Sequence, residues 1–147
     1  MLAGSSRRGA ARVYAIDTGY GVLAYRLRTD PRVVVMERTN AMHVLLPEPV
    51  DLVTIDVAWT PQQRILPAAR NLLKPGGQIV TLIKPQYEAD RRIVRGGLLP
   101  LEQVRAVVDP VLAALQSDGF EAAVIESPIP GQKGIVEYLA RLVARPA

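Results

Sequence analysis

The sequence has no cysteine and a single histidine among its 147 residues. Disulfide bonds and thiolate metal sites are therefore excluded, and with one imidazole we expect no metal centre. No apolar run approaches the roughly 18 residues of a membrane-spanning helix. Arg7 and Arg8 are not followed by the apolar stretch of a signal peptide. These absences predict a cytoplasmic protein that makes no contact with membranes.

The composition is that of a globular protein, with 49% hydrophobic and 22% charged residues. The length suits one domain with a substantial core. We expect residues 1–9 to form an irregular N-terminal segment and residues 10–147 to form the folded domain. The net charge is +4 and comes mostly from arginine, which permits a polyanionic partner but does not identify one.

Short apolar runs alternate with longer amphipathic segments along the chain. Runs of β-branched residues bounded by glycine, proline or aspartate predict buried strands. The predicted strands are 11–16, 33–36, 51–55, 77–83, 122–125 and 135–143, and the predicted helices are 22–29, 61–73 and 100–117. This order predicts an α/β fold with a mostly parallel, doubly wound sheet. The turn 127–134 is rich in proline and glycine and predicts that the last two strands are antiparallel.

The stretch 51–84 organises the chain because it holds two buried strands that each end in one ionisable residue. Asp56 follows the first strand and Lys84 follows the second. Ligands of open α/β sheets bind at the carboxyl ends of the strands, where parallel neighbours bring such residues together. Asp56 and Lys84 are therefore a candidate acid/base pair. Spacing alone equally allows an ordinary solvated ion pair.

Five blocks of the sequence together carry a family resemblance: GAARVYAIDTGYG, DPRVVVMERTNA, DLVTIDVAW, LLKPGGQIVTLIKPQYEA and PIPGQKGIVEYL. In this order they resemble the FtsJ-like methyltransferases, and within that family the TlyA (hemolysin A-type) branch of ribosomal RNA 2′-O-methyltransferases. The resemblance covers about residues 9–142. It implies a Rossmann-like class I methyltransferase fold, the cofactor S-adenosylmethionine, and methylation of a ribose 2′-hydroxyl of RNA.

The family's catalytic set is Lys-Asp-Lys-Glu, and the resemblance places its last three members on Asp56, Lys84 and Glu137. A ribose hydroxyl is a poor nucleophile that needs a base, or a cation to stabilise the developing alkoxide. A lysine held by carboxylates can supply either, depending on its pKa. Without the resemblance, Glu137 would be interpreted as a solvated strand residue.

The resemblance also implies three residues that contact the cofactor: Asp17, Asn40 and Asp56. Asp17 would accept the ribose hydroxyls and Asn40 would lie near the adenine, although both residue types also suit turns without any ligand. Trp59 replaces an aromatic residue, usually Phe, of the family. It could stack on a base, but we expect it to pack in the core.

Arginines in the loop after Lys84 are candidate RNA contacts. Arg91, Arg92 and Arg95 would reach phosphates there, although a merely solvated basic loop is an equal alternative. The partner implied by the resemblance is RNA, specifically ribosomal RNA, and a homo-oligomer remains open.

The sequence departs from the family at its start. It lacks the first family strand with its glycine-rich cofactor loop, the first catalytic lysine, and the S4-like RNA-binding domain of many relatives. In the family strand order 3-2-1-4-5-7-6 the missing strand is central. Either strands 11–16 and 51–55 pair directly, or the true protein is longer.

Two function classes therefore remain open from the sequence. The first is an RNA 2′-O-methyltransferase, and the second is a non-catalytic remnant that binds RNA or another protein. The 147 residues alone are expected to bind S-adenosylmethionine weakly or not at all and to transfer little methyl.

Overall fold

The computed structural model describes residues 9–131 and 134–145, so the predicted irregular segment 1–9 lies almost wholly outside the described residues. The chain forms two compact units, Met1–Leu45 and Leu46–Ala147. The single folded domain over residues 10–147 stays a prediction.

The first unit is a small β-α-β arrangement. Strand β1 (Val13–Ile16) is followed by the one-turn helix α1 (Tyr25–Arg28) and strand β2 (Val33–Met36). β1 and β2 are parallel, in a register that pairs Val13 with Val33 and Ile16 with Met36. β2 has its predicted bounds, and β1 begins two residues later than predicted.

The second unit carries a four-stranded sheet and three α-helices. Its strands are β3 (Val50–Ile55), β4 (Leu73–Ile83), β5 (Phe120–Glu126) and β6 (Tyr138–Ala144); its helices are α2 (Gln62–Asn71), α3 (Pro85–Glu88) and α4 (Val104–Ser117), the last preceded by a 3-10 turn at Leu101–Gln103. The strand order is β3-β4-β6-β5. β3 and β4 are parallel, whereas β6 is antiparallel to both β4 and β5. The predicted antiparallel last strand is confirmed.

Each of the two sheets matches a part of the family strand order. The pair β2-β1 corresponds to family strands 3-2, and β3-β4-β6-β5 corresponds to 4-5-7-6. No strand among residues 9–131 and 134–145 takes the place of family strand 1, and no ladder joins β1 to β3. Direct pairing of these two strands, one of the two predicted alternatives, is therefore wrong.

The core of the second unit lies on one face of the sheet. Side chains alternate between the two faces of a strand, and on β4 the fully buried set is Ile79, Thr81 and Ile83. Helices α2 and α4 add further buried apolar residues: Ile65, Leu66, Ala69, Val104, Val108 and Leu115. Both amphipathic helices therefore bury an apolar face.

Three boundaries differ from the prediction in ways that affect the site. β6 begins at Tyr138 rather than at 135, so Glu137 precedes the strand instead of lying on it. β4 begins at Leu73 and passes through an irregularity at Gly76, whose φ is +77°. The predicted loop after Lys84 begins with the helical turn α3, which starts at Pro85 because proline is favoured at the first helical position.

None of the helices in the described part of the chain combines the length and the apolarity that crossing a lipid bilayer requires.

Candidate active site

Three ionisable residues lie at one edge of the four-stranded sheet, the edge formed by the carboxyl ends of β3 and β4. The parallel strands β3 and β4 end at this edge, and the antiparallel β6 begins there, since Ile83 pairs with Tyr138. Asp56 follows β3, Lys84 follows β4 and Glu137 precedes β6. Residues separated by up to 81 positions in sequence, 137 minus 56, are therefore brought to one edge by strand direction alone.

Lys84 and Asp56 form a direct ion pair. The Lys84 amine donates to Asp56 Oδ1 at 2.8 Å, and the two side chains are only 20% and 30% exposed. Such a short, partly buried contact is a charge-assisted hydrogen bond rather than a loose surface pair. Glu137 is 7% exposed and lies beyond 4.0 Å from the amine, close enough to act on it through its charge.

The electrostatics of the site keep Lys84 charged. Burial acts to lower the pKa of Lys84, but its hydrogen bond to Asp56 and the charges of Asp56 and Glu137 outweigh burial, so the pKa is raised. Burial also raises the pKa of Glu137, against the opposing effect of the Lys84 charge. The charged form of Lys84 is therefore favoured in a site where its amine is paired with Asp56 and the Glu137 carboxyl lies nearby.

Helix α3 connects the site to its surroundings through successive side chains of the KPQYE block. The Gln86 side chain hydrogen-bonds the Glu137 carboxylate. The Tyr87 ring contacts Trp59, with ring centroids 4.9 Å apart. Glu88 Oε1 accepts a hydrogen bond from the backbone N–H of Gln62 at 3.0 Å. Each side chain of this single turn has its own partner.

Trp59 lies at the surface, and its expected core packing is wrong. It is 78% exposed and its φ is +62°, a left-handed backbone conformation that is uncommon for a residue with a side chain. The turn after β3 directs the indole outward, where only the Tyr87 ring covers part of it. An exposed tryptophan on a strained turn is a candidate for ligand contact.

The arginines of the loop after Lys84 are not equivalent. Arg92 is bound to Asp90 by several hydrogen bonds, which hold the pKa of that carboxyl below its ordinary value. Among the residues described, neither Arg91 nor Arg95 has a carboxylate partner. The structure thus leaves two of the three predicted RNA contacts available.

Arg95 is held in place by a tight hairpin. Its backbone exchanges two hydrogen bonds with Leu98, of 2.8 and 2.9 Å, around Gly96 and Gly97, which both have positive φ. The side chain borders a largely apolar cavity of about 460 Å³ whose wall includes Pro85 and Val136.

In the first unit, Asp17 and Asn40 follow β1 and β2. Asp17 Oδ1 accepts from the Gly19 N–H at 2.7 Å, and Asn40 Oδ1 accepts from the Met42 N–H at 2.9 Å. These are the local turn contacts that the sequence allowed for both residues. Both residues are exposed, and within the described ranges the second Asp17 oxygen and the Asn40 amide hydrogens have no protein partner.

Sequence reasoning missed four residues around the site. Gln62, Gln86 and Glu88 are polar side chains with buried or half-buried partners, and Gly131 contacts Glu137. The KPQYE block contained the signal for two of them, but only the fold shows what they contact. No group of three acidic or histidine residues in the described part of the chain could hold a metal ion.

Two curated proteins resemble this chain in sequence over most of its length. TlyA of Mycobacterium tuberculosis, named as a 16S/23S rRNA (cytidine-2′-O)-methyltransferase, is 42% identical over 138 residues, which are 89% of this chain and 51% of that protein. YqxC of Bacillus subtilis is 38% identical over 146 residues, 92% of this chain and 51% of its own length. This chain therefore spans about half the length of both relatives.

The fold matches solved structures as well. A protein described as a hemolysin from Lactococcus lactis superposes with a TM-score of 0.87 at 35% identity, covering 94% of this chain and 69% of that one. The sequence profile of the FtsJ-like methyltransferases matches residues 3–143. The chain therefore belongs to the FtsJ-like methyltransferase family.

Proposed function

We propose that the protein takes part in S-adenosylmethionine-dependent methylation of a ribose 2′-hydroxyl in ribosomal RNA, in the cytoplasm. The observation that carries the proposal is the Lys84–Asp56 pair of 2.8 Å at the edge where β3 and β4 end, with the buried Glu137 beside it. A hydroxyl that becomes an alkoxide needs a cation and a proton acceptor at that position. The named activity of M. tuberculosis TlyA is of this chemical class.

Each member of the site has a distinct task in this proposal. The Lys84 ammonium donates a hydrogen bond to the 2′-oxygen and stabilises the negative charge that develops on it. Asp56 fixes the direction of the ammonium group. Glu137, whose pKa is raised by burial, is the carboxylate better suited to take the hydroxyl proton.

The cofactor would be held by residues at the ends of β1 and β2. Asp17 presents a carboxylate oxygen that could accept the ribose hydroxyls, and Asn40 presents amide hydrogens that could donate to the adenine. The residues present thus fit the nucleoside part of S-adenosylmethionine. Bound there, the cofactor supplies the methyl group. The expected contribution of Asp56 to the cofactor site belongs to the same proposal.

RNA would be bound by stacking and by phosphate contacts. The exposed Trp59 offers a ring face to an unpaired base beside Lys84, and Arg91 and Arg95 offer guanidinium groups without carboxylate partners. Stacking on aromatic side chains and phosphate contacts are the two usual components of single-strand binding. Ribosomal RNA is the proposed substrate.

The test uses a chimera in which this chain replaces the matching half of M. tuberculosis TlyA. Incubation with methyl-labelled S-adenosylmethionine and unmodified ribosomal RNA should place label on a ribose 2′-oxygen. Lys84→Ala should lower the rate by about 100-fold or more while calorimetric cofactor affinity is retained.

The matched control is Lys74→Ala. Lys74 Nζ lies 2.9 Å from Asp51 Oδ2, near the start of the same two strands. Lys74→Ala therefore removes an ion pair at the opposite end of the ladder. Its chimera should methylate at the normal rate. Label on a base, or full activity of the Lys84→Ala chimera, would reject the proposed function.

A non-catalytic RNA-binding module is the second candidate. It is favoured by one observation: the exposed Trp59, and Arg91 and Arg95 without carboxylate partners among the described residues, could bind RNA without the catalytic set. An inactive chimera whose chain nevertheless binds single-stranded RNA would select this candidate.

A further inference from the structure

Gly131 occupies a position where the backbone does not require glycine. It lies in the loop between β5 and β6, where its N–H donates to Ile135 O at 2.8 Å and its carbonyl accepts from the Gly134 N–H at 3.1 Å. Its φ is outside the left-handed region, unlike that of Gly134, which is +76°. Any amino acid could adopt this conformation, so the reason for glycine must lie in its surroundings.

The surroundings are the side chain of Glu137. A β-carbon added at Gly131 would lie 2.5 Å from Glu137 Oε1, 2.7 Å from Cδ and 3.2 Å from Cγ. Carbon atoms do not approach non-bonded atoms so closely, and Glu137 is buried. A side chain at position 131 would therefore have to displace the carboxylate.

Gln86 contacts the same carboxylate from helix α3. Its side chain hydrogen-bonds Glu137, while its Oε1 is buried without a hydrogen-bond partner among the described residues. Gln86 is also the second residue after Lys84, so the contact ties Glu137 to the turn that follows the lysine. The carboxylate is held between this amide and the Gly131 backbone.

We propose that Gly131 is a positioning residue that keeps the Glu137 carboxylate against Gln86 and within electrostatic reach of Lys84. The inference deepens the proposed function, since it assigns the closing loop a part in building the catalytic site. The contacts of Glu137 on which it rests do not depend on bound RNA or cofactor. Gly131 acts only through Glu137 and touches no reacting group.

The experiment is a double-mutant cycle on the isolated chain, with the Lys84 pKa measured by NMR of its ε-carbon. The sequence has lysines only at 74, 84 and 133, so Lys84→Met assigns the resonance and Lys74 is an internal control. Gly131→Ala should lower the Lys84 pKa, because the Glu137 charge moves away. Glu137→Ala should lower it as well, and Gly131→Ala added to Glu137→Ala should produce no further change.

The same cycle remains informative if Gly131→Ala is destabilised. Overpacking beside Glu137 should lower the melting temperature of Gly131→Ala by about 3 to 10 °C, and Glu137→Ala should restore it by removing all three close contacts. A Lys84 pKa that responds to Glu137→Ala but not to Gly131→Ala overturns the proposal. So does an equal effect of Gly131→Ala with and without Glu137. Neither outcome involves methyl transfer, so a failure of this proposal can be distinguished from a failure of the proposed function.

Discussion

Glu88 caps a helix that begins 26 positions earlier in the chain. Its Oε1 accepts a hydrogen bond from the backbone N–H of Gln62, the first residue of α2, at 3.0 Å. Pro61 precedes that helix and offers no side-chain cap. The first N–H groups of a helix have no partners within it, so a carboxylate from α3 supplies what the local sequence lacks.

We expect removal of this cap to destabilise the second unit. Glu88→Ala should lower the free energy of unfolding by about 1 to 2 kcal/mol, the usual cost of losing a helix cap, as measured by denaturant titration. Glu88→Gln keeps an acceptor oxygen and should retain most of the stability at neutral pH. Equal destabilisation by Ala and Gln would show that the cap is not the stabilising contact.

Glu88 should also make the free energy of unfolding depend on pH. Burial raises the pKa of Glu88 above its ordinary 4.5, against the opposing hydrogen bond from Gln62. An acid whose pKa is higher in the folded state binds its proton more tightly when folded, so its contribution to stability falls as pH rises from 4.5 through the folded pKa.

The stability of Glu88→Gln relative to the parent chain should therefore increase with pH over that window, as followed by melting temperature. Glu102→Gln, which alters an exposed carboxylate, is the control. A constant difference between Glu88→Gln and the parent would contradict the raised pKa.

Thr81 should be needed for its hydroxyl. This fully buried residue donates to Gln62 Oε1 at 2.8 Å, and Gln62 is itself only 2% exposed. Thr81→Val keeps the shape but leaves that buried oxygen without its donor, which should cost about 1 to 3 kcal/mol. Thr54→Val, on the exposed side of β3, should cost much less. Chemical denaturation compares the two, and equal costs would exclude a role for the hydrogen bond.

The three loop arginines should differ in RNA binding although each carries one charge. Arg91→Ala and Arg95→Ala should weaken binding to single-stranded RNA and together reduce the salt slope by about 1.4, or 0.7 per phosphate contact. Arg92→Ala should have a smaller effect, because Asp90 already holds this side chain. Filter binding across salt concentrations measures all three, and identical losses would mean that only total charge matters.

Trp59 is the single tryptophan of the chain, so its fluorescence reports directly on this surface. In the free protein it should be readily quenched by acrylamide, and RNA should protect it. Trp59→Ala should weaken binding by roughly 5- to 150-fold, the range for one stacked base. Tyr25→Ala removes an equally exposed ring of the first unit and should leave affinity unchanged. Unaltered binding by Trp59→Ala would exclude stacking at this position.

The sequence predicted the elements of the fold well because their causes are local. Apolar runs and helix punctuation placed β2 at its observed bounds and the other strands within a few residues. Lys84 and Asp56 could be paired from sequence because parallel strands end at one edge, and that argument needs only strand direction. The contacts of the Gln86 and Glu88 side chains, and the close approach of Glu137 to Gly131, were not predictable, since each depends on a neighbour distant in sequence.

Trp59 illustrates the opposite error. Large apolar side chains are usually buried, and the prediction of core packing followed that tendency. The left-handed turn after β3 reverses the direction of the side chain, and nothing in the neighbouring sequence requires such a turn. Strained backbone of this kind is found mostly at functional sites, and a burial tendency carries no information about it.

The one-turn helix α3 has a consequence for how this site can change. Successive side chains on a helix point about 100° apart, so Gln86, Tyr87 and Glu88 face three separate neighbours at once. Insertion or deletion of one residue after Lys84 would rotate all three side chains together. The contact of Gln86 with Glu137, the contact of Tyr87 with Trp59 and the Glu88 cap of α2 would then be lost at the same time. The four residues of this turn therefore act as one structural unit, which can be transplanted or lost whole but cannot be changed in length by single residues.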